Sequence, residues 1–168
     1  VFQVTYVGGP RVYFGDEVGM WGANDPDDRK PMLWPDIEYA DERALPNGKL
    51  RPAADADRVA INSDLHDHYR KLIGIRNRHK ALQTGDYKTL LADDNAEVFA
   101  FQRQLGDETI WVILNNSDAA QKVSLPRAGF DDFEDLLNGR TYAWQQGDLQ
   151  VELPAKQAVV LNAVKMVR

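Results

Sequence analysis

Gly8-Gly9-Pro10-Arg11-Val12-Tyr13-Phe14-Gly15-Asp16-Glu17-Val18-Gly19-Met20-Trp21-Gly22-Ala23-Asn24-Asp25-Pro26-Asp27-Asp28-Arg29-Lys30-Pro31-Met32-Leu33-Trp34 is the stretch on which the reading of this chain turns. Val12, Tyr13 and Phe14 form a short apolar run entered through the turn pair Gly9-Pro10 and left at Gly15. Such a run suits a strand in the interior of a parallel sheet or barrel. Two carboxylates follow, and then a loop dense in Gly, Asn, Asp, Arg and Trp, a composition that turns the chain and presents polar groups.

Upstream, Val1 to Val7 place Phe2 and Tyr6 on one helical face, with strand as the rival reading because Val and Thr are β-branched. Downstream, Asp16 to Asn62 shows no sustained period and carries Pro26, Pro31, Pro35, Pro46 and Pro52, which reads as one long loop region. A helix should follow, capped by Ser63 or Asp64 and running to about Leu82, with Leu65, Tyr69, Leu72, Ile73, Arg76 and Leu82 as its inner stripe. Gly85-Asp86 ends it. Beyond this point the pattern becomes short β-rich runs at 87–91, 98–102, 109–114, 122–125, 133–137, 141–144, 149–153 and 159–164. Gly106-Asp107, Asn138-Gly139 and Gly147-Asp148 supply the tight turns, and the spacing predicts an antiparallel β-sandwich.

A chain of 168 residues with 43% hydrophobic content can bury a core. Its net charge of -6 and lack of a basic stripe argue against a nucleic-acid partner. No apolar run reaches the ~20 residues needed to cross a bilayer, so no membrane partner is expected. The chain has no cysteine, which removes disulfides and thiolate chemistry but leaves its compartment open. Val1 lacks a start methionine and a helix cap, and the opening residues look like the end of an element begun upstream.

Several groups invite chemistry. Asp16 and Glu17 are adjacent carboxylates that would point to opposite faces of a strand, whereas glycoside hydrolysis needs two carboxyl groups facing each other ~5 to 9 Å apart. Bracing the strand end is therefore their expected role. Asp25 and Arg29, four residues apart in one turn, can converge on a ligand: a carboxylate accepts from vicinal hydroxyls, and the guanidinium fork donates. The opposing reading is an Asx turn at Asp25 with Arg29 paired to Asp27 or Asp28. Trp21 could offer a flat face to a pyranose ring, while Trp34 and Phe14 are expected to fill the core. His66, His68 and His79 do not assemble a ligand set, so no metal is expected, and all three are placed on solvated helix surface. Asp131, Asp132, Glu134 and Asp135 read as a solvated strand entry.

The first 34 residues resemble the segment around the eighth barrel strand of the α-amylase family of glycoside hydrolases, especially its neopullulanase, cyclomaltodextrinase and maltogenic amylase branch. Gly8 to Gly19 follow that family's Gly-x-Pro-x-Ile-Tyr-Tyr-Gly-x-Glu-x-Gly signature, and Asn24 to Met32 follow the loop after it. Val12 and Phe14 stand where Ile and Tyr are usual, and Asp28 where the branch often has Cys. The resemblance implies α/β plus all-β architecture: residues 1–85 as the last strand, long loop and last helix of a (β/α)8 barrel, and residues 86–168 as a C-terminal Greek-key β-sandwich. It implies a retaining α-glucan hydrolase with no cofactor, whose nucleophile, acid/base Glu and transition-state Asp lie upstream of Val1. The upstream barrel would then be a partner of residues 1 to 62, and α-glucan or maltooligosaccharide the substrate. Asp25 and Arg29 fall at family positions that hold glucose units on the non-reducing side of the cleaved bond. The competing expectation is a non-catalytic carbohydrate-binding or interaction module built on the sandwich, with residues 1–85 as an attached linker.

Overall fold

The computed structural model describes residues 1–20, 22, 25, 29–45, 47–126, 129–145 and 147–164. They pack as two units, one of Val1–Pro10 with Leu72–Arg168 and one of Arg11–Lys71.

The first unit is mostly β. Strands form at Asp86–Asp93 (β1), Val98–Leu105 (β2), Glu108–Asn115 (β3), Gln121–Pro126 (β4), Asp132–Asp135 (β5), Thr141–Gln145 (β6), Asp148–Leu153 (β7) and Ala158–Val164 (β8), each overlapping a run predicted from the sequence. Their order is β1-β2-β3-β8-β5-β6-β7-β4, and every pairing is antiparallel. The set β5-β6-β7 is joined by hairpins, and β4 lies beside β7, which is a Greek-key arrangement read from its C-terminal end. Gly106, Gly139 and Gly147 hold positive φ angles of 57°, 69° and 100° at the predicted turns, conformations that cost glycine little.

Alternation explains the first core. On β7, Leu149, Val151 and Leu153 are buried while Gln150 and Glu152 face outward. These residues meet Val123 and Leu125 of β4, together with Trp111, Ile113, Phe133, Val159 and Leu161 from the opposite layer. The Trp111 ring lies 4.8 Å from Phe133 and edge-on to Trp144, the offset geometries that aromatic quadrupoles favour. Strand β3 is apolar without alternation because it is covered on both faces. Ile110 and Val112 turn to a second core with Phe101, Val160, Val4, Leu72, Ile75 and Leu82.

Asp135 does not sit in the solvated strand entry expected for it. It is fully buried, and Oδ1 accepts from the backbone N–H groups of Leu137 (3.0 Å) and Val160 (3.3 Å) while Oδ2 accepts from Asn138 Nδ2 at 2.8 Å. Hydrogen bonds therefore replace the water that a carboxylate loses on burial.

The helices of this unit are tied down by two buried arginines. One helical turn forms at Phe2–Thr5 (α1), a long helix at Ser63–Arg78 (α2), of which Leu72 onward belongs to this unit, and a short one at Lys80–Thr84 (α3). The single helix predicted to Leu82 breaks at His79, whose backbone is extended at φ -109°, ψ 103°. Glu108 accounts for the break: its Oε2 accepts the Ala81 N–H at 2.6 Å, and its Oε1 pairs with His79 Nδ1 at 2.8 Å. His79 is thus not a solvated surface residue. Ile75, not the predicted Ile73, joins Leu72 and Arg76 on the buried face.

Arg103, 1% exposed, donates through Nη1 to the carbonyls of Tyr6 (2.9 Å), Leu82 (3.1 Å) and Thr5 (3.2 Å), and through Nη2 to Gly85 O at 2.9 Å. Arg76 donates to Val4 O at 2.8 Å and Gly8 O at 2.6 Å. Helix ends leave such carbonyls without intrahelical partners, and the two guanidinium forks satisfy them. Burial pushes both arginine pKa values down, and the neighbouring Arg76 charge adds to the effect on Arg103.

In the second unit, Arg11–Lys71, the described residues between Asp16 and Asn62 are irregular as predicted, with three-residue 3-10 turns at Asp16–Val18 and Ala53–Asp55 and isolated bridges Glu42↔Asp57 and Ala44↔Leu50. The strand predicted at Arg11 to Phe14, on which the barrel-strand part of the fold expectation rests, is not formed. Among the described residues none forms a ladder with 11–14, and Tyr13 and Phe14 are 63% and 57% exposed. A parallel strand obtains its hydrogen bonds from neighbours in its sheet. Gly15, at φ 88°, makes the turn instead, and a Cβ there would lie 2.6 Å from Met20 Sδ. The N-terminal cap of α2 is Asn62, whose Oδ1 accepts from Leu65 N at 3.0 Å, in place of the predicted Ser63 or Asp64. Asn62 N also donates to Val18 O at 3.0 Å, tying the turn to the helix start.

Candidate functional site

The site residues named from sequence all belong to the second unit. Asp16 and Glu17 occupy a 3-10 turn, not a strand, so the opposite-faces argument does not apply to them. Asp16 Oδ2 accepts from Tyr13 N at 3.1 Å, and Asp16 N donates to Tyr13 O at 3.0 Å, closing the turn on both sides. Glu17 Oε2 is buried without a hydrogen-bond partner among the described residues. Burial, followed by the negative charges of Asp16 and Glu17, pushes the Tyr69 phenol pKa up.

Asp25 and Arg29 come together: Arg29 Nε lies 2.9 Å from Asp25 Oδ1, with the two side chains 77% and 66% exposed, respectively. An exposed pair of this kind contributes little to stability, between ~0 and 1 kcal/mol, so its geometry is available to a ligand at small cost. Among the described residues, Arg29 pairs through Nε with Asp25, and a guanidinium fork has further N–H groups with which to meet an acceptor. Trp21, Asp27 and Asp28 lie outside the described residues.

Next along the chain, Lys30 pairs with Glu42, whose Oε1 also accepts Ala44 N at 2.7 Å. Leu33 is buried, and its neighbour Trp34 is turned outward at 56% exposure, which corrects the expectation that Trp34 fills the core. Phe14 is corrected in the same way. The Tyr39 hydroxyl accepts from Trp34 N at 2.6 Å and donates to Met32 O at 3.1 Å, bracketing Leu33. Trp34 and Tyr39 open onto a groove of about 560 Å³ whose wall includes Ile37, Glu38, Asp41 and Arg58. An adjoining cavity of about 180 Å³ shares Tyr39 and Arg58 with it and is lined further by Lys30, Leu33 and Glu42. The extended run Met32-Leu33-Trp34 between Pro31 and Pro35 carries the signal for this exposure, because alternation with Leu33 inward forces Trp34 outward. His66 and His68 are exposed on α2, and no metal-binding cluster occurs among the described residues.

Comparison with known proteins places these features. Residues 87–160 match the maltogenic amylase C-terminal domain. Nearly the whole chain, 96% of it, aligns at 34% identity with neopullulanase 2 of Thermoactinomyces vulgaris, and 98% aligns at 33% identity with a cyclomaltodextrinase of Geobacillus thermopakistaniensis. The chain is similar to members of the α-amylase family along nearly its whole length. In each of those two relatives the alignment covers 24% of the length, so this chain spans about a quarter of the curated proteins it matches. A solved cyclomaltodextrinase structure superposes over 96% of the chain with a TM-score of 0.75 at 29% identity, again covering 24% of that protein. An Anoxybacillus α-amylase structure gives the same TM-score over 99% of the chain at 22% identity and supports the fold alone. The family match at residues 87–160 falls on β1 to β8, where β-sandwich-like packing agrees with the sequence reading.

Proposed function

We propose that the chain is the C-terminal portion of a retaining α-glucan hydrolase, with residues 1–85 completing a (β/α)8 barrel and residues 86–168 forming the appended sandwich. The observation that carries this reading is the exposed Asp25–Arg29 pair in a chain whose relatives are named neopullulanase and cyclomaltodextrinase. On this reading Asp25 and Arg29, with Trp21 beside them in sequence, hold glucose units by hydrogen bonds to hydroxyls and by stacking. The cutting carboxyl groups come from upstream strands, which would also pair with residues 11–14. Exposed Val12, Tyr13 and Phe14 support that placement, since an apolar strand segment is stable only when covered.

Two outcomes are expected. The 168-residue chain should not hydrolyse starch, pullulan or cyclodextrin, because retaining hydrolysis needs two oriented carboxyl groups; reducing-sugar release by the purified chain would refute this. In the full-length polypeptide, Arg29→Ala should lower kcat/KM on long maltooligosaccharides by a factor corresponding to about 1–3 kcal/mol, the cost of a lost charged hydrogen bond. Unchanged kcat/KM would remove Arg29 from the binding set.

A further inference from the structure

We infer that the groove carrying Trp34 is a second glucan-binding site, distinct from the Asp25–Arg29 pair and built to take a short run of α-linked glucosyl units. The inference rests on the α-glucan reading above.

Three features support it. The first is a presented aromatic face. Trp34 is more than half exposed, yet its backbone is held by the Tyr39 hydroxyl on one side and by its own carbonyl accepting Ile37 N at 3.3 Å on the other. Exposing an indole costs hydrophobic free energy, and a fixed backbone limits how far the side chain can swing to bury itself. The face is therefore preorganised for a flat apolar surface such as the C–H face of a pyranose.

The second is the polar rim. Glu38, Asp41 and Arg58 line the same groove, giving carboxylate acceptors for vicinal hydroxyls and a guanidinium donor for hydroxyl or ring oxygens. Opposite charges on one rim suit a neutral, hydroxyl-rich ligand better than an anion or a cation, either of which would meet a like charge. The third is size. At about 560 Å³ the groove falls within the ~300–1,000 Å³ of small-molecule sites and has room for more than one sugar ring.

The test is calorimetric titration of a thio-linked maltotriose, which cannot be cleaved, into the full-length polypeptide and its variants. Wild type should bind in two phases. Trp34→Ala should remove one phase, and Glu38→Gln should weaken that same phase several-fold, while Arg29→Ala should weaken only the other by about tenfold. Glu38→Gln leaves the aromatic face in place, so it tests the groove even if the Trp34 variant misfolds. Two phases unchanged by both Trp34→Ala and Glu38→Gln, or a single phase lost on Arg29→Ala, would overturn the groove and keep the α-glucan reading. Equal affinity of the Trp34 phase for thio-linked cellotriose would overturn its α-glucan assignment. Absence of any binding, together with absence of α-glucan cleavage by the full-length polypeptide, would overturn both.

Discussion

Replacing Arg103 with methionine should lower the stability of the β unit by about 3–5 kcal/mol, read as a drop in the urea midpoint with little change in slope. The methionine stem would fill much of the space, so the loss would come from polar groups, not from a cavity. Thr5 O, Tyr6 O, Leu82 O and Gly85 O would each lose the donor that reaches them from β2. A buried acceptor left unpaired costs ~1–3 kcal/mol; Tyr6 O keeps Arg76 Nη1 at 3.4 Å, and water admitted at the edge would relieve some of the other three. Arg103→Lys should recover less than half of the loss, because one ammonium group cannot reproduce a fork spread over carbonyls from α1, α3 and the segments after them. A loss below 1 kcal/mol in the methionine variant would show that the carbonyls find other donors. Removing a charged group that has no carboxylate partner among the described residues also relieves a desolvation cost, and for that reason the expected value stays below the sum of the individual bonds.

Asp135→Ala should cost about 2–4 kcal/mol, with Tm falling by roughly 2–4 °C for each kcal/mol in a protein of this size. The side chain joins β5 to β8 and to the β5–β6 connection: it accepts from Val160 N on one strand and from Leu137 N and Asn138 Nδ2 in the connection. Alanine removes the carboxylate oxygen to which both of these backbone donors point. Hydrogen exchange at Leu137 and Val160 should accelerate by more than at core amides of β2 and β3, because those two donors lose their acceptor directly. Asp135→Asn keeps one acceptor oxygen but turns an amide NH₂ toward a donor, so its cost should lie between alanine and wild type. Uniform exchange changes across the unit would show only global destabilisation and would contradict a local role.

The β-rich half was legible because its signals are local. Leu149-Gln150-Val151-Glu152-Leu153 alternates with period two, and Gly106, Gly139 and Gly147 mark turns by a conformational preference carried in the residue itself. Asp135 was misread because a carboxylate beside Asp131, Asp132 and Glu134 looks solvated in sequence. Its partner Val160 is set by the register of β5 against β8, which a local reading does not contain. The helix break at His79 has the same origin: Glu108, 29 residues away, takes the amide of Ala81.

The apolar run Val12-Tyr13-Phe14 depends on partners of another kind. Composition identified a strand, but a strand is a relation between segments, and among the described residues none pairs with it. At the candidate site, the four-residue spacing sufficed to bring Asp25 and Arg29 into contact. The expectation that Trp34 fills the core fails because the Leu33 alternation and the Tyr39 bracket turn it outward.

Arg76 joins two points far apart in the chain, donating from α2 to Gly8 O across 68 positions of sequence. The excursion from Arg11 to Lys71 therefore leaves from and returns to one clamped base. Closing a loop costs free energy that grows only with the logarithm of its length, by about 0.6 kcal/mol for each doubling. With the base already fixed, insertions and deletions between Phe14 and Asn62 are cheap for the fold and are felt mainly by the surfaces the excursion carries. The clamp makes this region a natural position for exchange: related sequences can diverge, and engineered ones can be grafted, in what they grip, while Arg76, Arg103 and the sandwich beneath them stay unchanged.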